Sequence, residues 1–237
     1  MAKLFTFKKQ HKAISSEEWI EERMNNGYIH YFEYDKFNQI VKIGGSLSKN
    51  NKIQMALDIT SGLKFLHFNE IIHRDLHSRN ILVNNGKLLI VDFKLSEKMT
   101  EAIIDSIANR SGMIEYSDPQ CFKNREYKKN KKSDIYSLGV LLWEISSGHP
   151  PFSGHSKDIL AFHISYNNLR EGSITGIPPT YQKLYQKCWD NKPKSRPDIE
   201  EVYEILNGGK GSFGNIDHAS WKDTEQVFAL KRFNGDN

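Results

Sequence analysis

Only two cysteines, Cys121 and Cys188, occur in the 237 residues. That shortage excludes a disulfide framework and a cysteine-built metal site, and it fits a reducing compartment. Long apolar runs are also missing. The longest, around Tyr136 to Ile145, is too short to span a bilayer. The basic start, Met1 to Ala13, lacks the apolar stretch of a secretory signal. There is no internal repeat and no long low-complexity tract. A net charge of +4 is mild, and its one dense basic run, Lys128, Lys129, Lys131 and Lys132, reads as a solvated loop. These absences predict a cytoplasmic protein with no membrane and no nucleic-acid partner.

What is present suits a globular chain. Hydrophobic residues make up 38% and charged residues 26%, enough for one or two domains with a substantial core. Residues 1–30 are polar and include Glu17 to Met24, which reads as a short amphipathic helix. Tyr31 to Ile43 alternates aromatic and β-branched residues with polar ones, as strands do, before Gly44-Gly45-Ser46 breaks the pattern. With Ser48 as a cap, Ala56, Ile59, Leu63 and Leu66 then recur at helical spacing. Ile81-Leu82-Val83 and Leu88-Leu89-Ile90-Val91 flank Asn84-Asn85-Gly86, a hairpin-turn signal.

Residues 94–132 read as loop-rich, and Asp134 to Ser146 as a helix apolar on nearly every side, hence central and buried. Further helices are predicted at Tyr181 to Trp189 and Asp198 to Leu206, the latter ended by Asn207-Gly208-Gly209.

The chemistry sits around the hairpin. His73-Arg74-Asp75-Leu76-His77-Ser78-Arg79-Asn80 precedes its first strand, and Asp92-Phe93 follows its second. The hairpin predicts that Asn80 and Asp92 lie near each other at its open end. Phosphoryl transfer needs a group to orient a hydroxyl nucleophile, hard oxygen ligands for Mg²⁺, and cations near the phosphates. Asp75 suits the first role, and Asn80 and Asp92 the second. Any one of these residues alone would read as a turn or cap former. Together, around one hairpin, they point to phosphoryl transfer.

These residues resemble the protein-kinase catalytic loop and its magnesium-binding triplet. Ser133 to Val140 with Trp143-Glu144, and Cys188-Trp189 with Arg196-Pro197, resemble the central and late helices of tyrosine-kinase-like kinases. The resemblance covers about residues 47–206. It implies an α+β, mainly α fold: a protein-kinase-like C-terminal lobe with fragmentary N-lobe strands. The implied divisions are a polar extension (1–30), a first-strand remnant (31–46), the C-lobe (47–206), and a glycine-rich-loop and lysine-strand fragment (207–237).

The implied roles follow residue by residue. Asp75 would be the catalytic base, and Asn80 and Asp92 the metal ligands. Arg74 would grip a phosphorylated activation segment, with Thr100, Ser106, Ser111 and Tyr116 as candidate sites. Asp134 would brace the loop, although its place near a helix start equally suits an N-cap. Gly209, Gly211, Gly214 and Ile216 resemble the phosphate-covering loop, and Ala229-Leu230-Lys231 the lysine strand. With Leu82 beneath the nucleotide, these would bind ATP, and Lys231 would contact its phosphates. A flexible glycine-rich tail is the other reading of 209–231. The partners implied are ATP with Mg²⁺ and a protein substrate; a pseudokinase with a protein interaction partner is the alternative.

Three departures from the family pattern bear on competence. Lys94 stands where the triplet has glycine. Asp118-Pro119-Gln120 replaces Ala-Pro-Glu, and neutral Gln120 cannot form the family's ion pair with Arg196, so a weaker anchor is expected. Lastly, the N-lobe expected between Ile43 and Ser48 is missing, and its nucleotide-binding parts recur after the C-lobe. No helix that could carry a glutamate partner for Lys231 is expected in residues 232–237. Asn207 to Gly209 can span only about 10 Å, so residues 210–231 are not expected to cover the cleft of their own chain. His77 replaces the lysine familiar from serine/threonine kinases, and Arg79 resembles tyrosine kinases, which leaves the acceptor open.

Overall fold

A computed structural model describes residues 49–84, 87–91, 97–98 and 113–208. Helix α1 (Lys49–Phe68) leads into strand β1 (Ile71–Ile72). The hairpin strands β2 (Ile81–Asn84) and β3 (Lys87–Ile90) follow, then β4 (Glu97–Lys98). The rest is helical: α2 (Gln120–Lys123), α3 (Lys131–Ser147), α4 (Lys157–Tyr166), α5 (Pro179–Cys188) and α6 (Ile199–Gly208). The architecture is therefore α+β and mainly α, as expected. Among the described residues no helix is long and apolar enough to cross a membrane.

Helix α3 is the axis of the core. Its start is fixed by a reciprocal cap, in which Asn130 accepts from the Lys132 N–H and Ser133 Oγ accepts from the Asn130 N–H. It ends at Gly148, whose φ of 78° is the left-handed conformation glycine tolerates. Every residue between Ser133 and Ser146 is buried. A helix apolar all round has no solvent face, so neighbours must cover it: α5 on one side and α1 on another. Gly139 lets α5 approach so closely that a β-carbon there would lie 2.7 Å from Cys188 Cβ.

In α1 the predicted stripe Ala56, Ile59, Leu63 and Leu66 is buried, and it packs the helix against α6, β3 and α3. The Ile59, Leu63 and Leu66 side chains each contribute about 1.5–3 kcal/mol on burial. Pro179 opens α5 with the fixed φ suited to a first helical turn. Asp198 accepts from the Glu201 N–H at the start of α6.

Two antiparallel ladders frame the site. β2 pairs with β3 in the register Ile81 with Ile90 and Asn84 with Lys87, which is the predicted hairpin. β1 pairs with β4, Ile71 with Lys98. Outside the described residues lie the expectations for 1–48, including the cap at Ser48, and for the turn residues Asn85 and Gly86. So do those for Asp92, Phe93, Lys94, Thr100, Ser106 and Ser111. The same holds for Gly209, Gly211, Gly214, Ile216, Ala229 and Lys231, and thus for the reach of 210–231 toward the cleft.

Candidate active site

The site is built on the loop between β1 and β2. His73 is fully buried, and both its ring nitrogens are engaged. Nδ1 accepts from the Asp75 N–H at 3.3 Å, which leaves Nε2–H to donate to the Val91 carbonyl at 3.2 Å. Burial holds its pKa below the ordinary histidine value against the pull of Asp134, so the ring is neutral as this pairing requires. It stitches the loop to the end of the hairpin.

Arg74 follows with a φ of 70°, a left-handed conformation that costs a β-carbon residue about 1–2 kcal/mol. Asp134 stabilises it. That carboxylate accepts from the backbone N–H groups of His73 and Arg74, both at 2.9 Å, and lies 2.9 Å from His67 Nε2. Burial alone would raise the Asp134 pKa. The hydrogen bond and charge of His67, with the His73 contacts, more than reverse this and hold it below the usual carboxylate range. The two readings of Asp134 are thereby separated. Asn130 caps α3, and Asp134, one turn in, braces the loop.

Asp75 is consequently held from both sides along the backbone. Its N–H meets His73, and its carbonyl accepts from Asn80 Nδ2 at 2.9 Å. Its carboxylate keeps partial solvent access and lies 3.4 Å from His77 Nε2. Burial pushes its pKa up, but His77, Lys129 and His73 together bring it below the ordinary aspartate value. It is ionised at neutral pH and can accept a hydrogen bond from a hydroxyl.

Asn80 closes the loop. Its N–H donates to the His77 carbonyl, and its own carbonyl accepts from Val91 at 2.9 Å. The open end of the hairpin thus brings Asn80 to the residue before Asp92, although Asp92 itself is outside the described part. With Nδ2 committed to Asp75, the remaining carboxamide atom is Oδ1, a hard oxygen of the kind Mg²⁺ prefers. The donor chemistry fits the ion. Leu82 is buried on β2, two residues beyond.

The structure therefore brings Arg74, Asp75 and Asn80 together, with Leu82 farther along β2. Beside them opens a cleft of about 310 Å³ walled by Ser78, Arg79, Tyr116, Glu144 and Lys157 among others. Tyr116 does not fit the role of a phosphorylation site in this conformation. It is buried, and its hydroxyl donates to Glu144 Oε2 at 2.7 Å, so Ser78 Oγ must donate to it in turn at 3.0 Å. It ties the turn Ile114–Tyr116 to the catalytic loop and to α3.

Two expectations need correction. The lysine run is not a solvated loop: Lys128 is exposed, but Lys129 is buried with Nζ 2.9 Å from the Arg74 carbonyl, and Lys132 Nζ reaches the Arg196 carbonyl at 2.7 Å. Nor does Gln120 leave Arg196 without a carboxylate. Asp118, two residues earlier in the same motif, supplies it. Among the contributors not foreseen, His67 and Lys129 left no motif signal. Asp118 was visible as an acid where the pattern has alanine.

The profile of the "Protein tyrosine and serine/threonine kinase" family matches residues 10–206, so the glycine-rich segment lies beyond the matched stretch. The serine/threonine-protein kinase VIK of Arabidopsis thaliana is 31% identical over 196 residues, covering 79% of this chain and 44% of that protein. The serine/threonine/tyrosine-protein kinase HT1 of the same plant is 32% identical over 162 residues, covering 68% and 40%. Mitogen-activated protein kinase kinase kinase 13-B of Xenopus laevis is 26% identical over 180 residues, covering 76% and 18%. The chain thus spans less than half the length of these relatives. It belongs to the protein tyrosine and serine/threonine kinase family, in its tyrosine-kinase-like group.

Proposed function

We propose that this chain carries the catalytic half of an ATP-dependent protein kinase, directed at serine, threonine or tyrosine hydroxyls of a cytoplasmic protein substrate. The observation that carries the reading is the fixing of Asp75: His73 holds its N–H, Asn80 its carbonyl, and Asp134 the preceding amides, while its carboxylate keeps solvent access. So held, Asp75 orients the acceptor hydroxyl and takes its proton. Asn80 Oδ1 and Asp92 would hold Mg²⁺, which when bound with ATP neutralises charge on the transferring phosphoryl group. Arg74 would meet a phosphorylated activation segment, and Leu82 would lie under the nucleotide.

Residues 47–206 form the C-lobe in this reading, preceded by a polar extension (1–30) and a strand remnant (31–46). The fragment 207–237 carries the displaced nucleotide-binding parts, with Gly209, Gly211, Gly214 and Ile216 over the phosphates and Ala229 and Lys231 on the lysine strand. Because these parts follow the stretch that matches the family, nucleotide binding is weak and transfer slow. The same displacement favours, as a second reading, a pseudokinase that uses the lobe to engage a protein partner.

Titration of the purified chain with Mg²⁺-ATP, beside phosphoryl transfer to a synthetic peptide containing serine, threonine and tyrosine, tests this. The expected result is slow transfer that Asp75→Asn abolishes. Transfer unaffected by Asp75→Asn overturns the assignment of Asp75, and no transfer with tight capture of a protein partner supports the pseudokinase.

A further inference from the structure

We propose that Lys129 is a positioning residue for Asp75, holding the carbonyl of the Arg74–Asp75 peptide unit while Asp134 holds the N–H of the unit before it. The inference rests on the reading of Asp75 as the residue that meets the acceptor hydroxyl. Lys129 itself has no place in that reading.

The backbone at Arg74 is strained. Arg74 has a β-carbon and a positive φ, a state that persists only where surrounding contacts over-determine it. Its N–H is taken by Asp134 Oδ1 at 2.9 Å, and its carbonyl by Lys129 Nζ, also at 2.9 Å. Hydrogen bonds to charged partners are roughly twice as strong as neutral ones, so both polar groups of the strained residue are held by strong contacts. The Arg74 carbonyl shares a peptide plane with the Asp75 N–H, which donates to His73 Nδ1. Lys129 and His73 therefore hold the two edges of one plane, and Asp75 projects from its end.

The burial of Lys129 supports the same conclusion. It is 6% exposed, an uncommon place for an ammonium group unless it is paired. Burial lowers its pKa while the charge of Asp75 works to keep it protonated, and Lys129 in turn helps keep Asp75 ionised. The two also border a small void of about 10 Å³, room for roughly one water. The segment carrying Lys129 is itself anchored. Tyr127 donates to Asp118, and Asn130 caps α3, so the lysine approaches the loop from a fixed base. Its three exposed or half-buried companions in the run make no contact of this kind with the loop: Lys131 meets Glu70 and Lys132 the Arg196 carbonyl.

The test uses the whole chain with Lys129→Met, Lys129→Gln and Lys129→Arg, read by hydrogen exchange of peptides covering residues 71–80 and 135–145. Lys129→Met should speed exchange in 71–80 by about tenfold and leave 135–145 within about twofold of the native protein. Lys129→Arg should restore most of the protection. If Lys129→Met does not fold, Lys129→Gln, which keeps a polar end in the polar void, carries the same comparison. Unchanged exchange in 71–80 overturns the proposal, and so does equal acceleration of both peptides, which marks a packing role only. A transfer assay adds a second reading: kcat should fall about tenfold in Lys129→Met with KM for peptide unchanged. Absence of transfer by the native chain counts against the kinase reading, and the exchange comparison still decides the role of Lys129.

Discussion

Arg196 and Asp118 form a two-pronged ion pair, with Nη1 2.6 Å from Oδ2 and Nη2 2.9 Å from Oδ1, and neither side chain reaches solvent. The remaining guanidinium contacts are to the carbonyls of Asp190 and Lys132. Asp118 also accepts from Tyr127 and Ser133. A buried pair with every polar atom served is tolerable, whereas a buried ion without its partner is not. Asp118→Asn should therefore lower stability by about 3–5 kcal/mol in urea unfolding. Gln120→Glu, which restores the family's glutamate, should not help the native chain, because Gln120 Nε2 now donates to the Asn191 carbonyl and a carboxylate would repel it. In the Asp118→Asn background the same change should recover part of the loss. A loss below about 1 kcal/mol for Asp118→Asn would mean the anchor lies elsewhere.

Acid should loosen the catalytic loop in two stages, and the signs follow from the pKa directions. His73 is held neutral below its ordinary value of 6.5, so the unfolded chain gains the proton first and stability falls as pH drops below that value. Asp134 has a folded pKa below its ordinary 3.8, so its contribution is complete above that value and is lost as pH falls through the folded one. Thermal unfolding from pH 3 to 8 should show Asp134→Asn less stable at neutral pH but flatter below about pH 4. Parallel curves for the two proteins would deny Asp134 this part.

The contrast between what could and could not be read from the chain has a physical basis. Asp75 and Asn80 were legible because their chemistry is packed into eight consecutive residues, and α3 because its apolar run is unbroken. The hairpin was legible because its turn and strand lengths are local. Arg196 and Asp118 are 78 residues apart, so only the folded chain pairs them, and a motif-based reading had assigned the pair to position 120. Lys129 was misread since a run of lysines has no periodicity to reveal which one turns inward. Helix α4 escaped notice because Ile159, Phe162 and Tyr166 stay exposed while Leu160 and Ile164 are buried, and apolar residues on both faces blur the helical stripe.

Glu144 offers a test with the opposite sign. Burial raises its pKa above the ordinary 4.5, and the hydrogen bond from Tyr116 only partly offsets this. A raised folded value means the carboxyl favours the fold most below 4.5, and that favour is lost as pH climbs through the folded pKa. Glu144→Gln keeps an acceptor for the Tyr116 hydroxyl and removes the ionisation. Its stability relative to the native chain should improve as pH rises from 4.5 through the folded pKa and level off above it, measured by thermal unfolding. A variant that loses ground with rising pH would contradict the sign.

The contact between α3 and α5 depends on the absence of one side chain. A β-carbon on Gly139 would meet Cys188 Cβ at 2.7 Å, the Trp189 amide nitrogen at 3.0 Å and the Tyr185 carbonyl at 3.1 Å. Two of these are backbone atoms of a helix end and cannot swing aside, so α5 must shift or the helices must part. Gly139→Ala should cost about 1–3 kcal/mol, as overpacking of a well-packed core does. Alanine's better helix propensity recovers only about 1 kcal/mol of that. Gly154→Ala is the matched control, since a β-carbon there meets nothing within 4 Å. Denaturant unfolding should separate the two clearly, and equal midpoints for both variants would show that α5 can move away from α3 without loss.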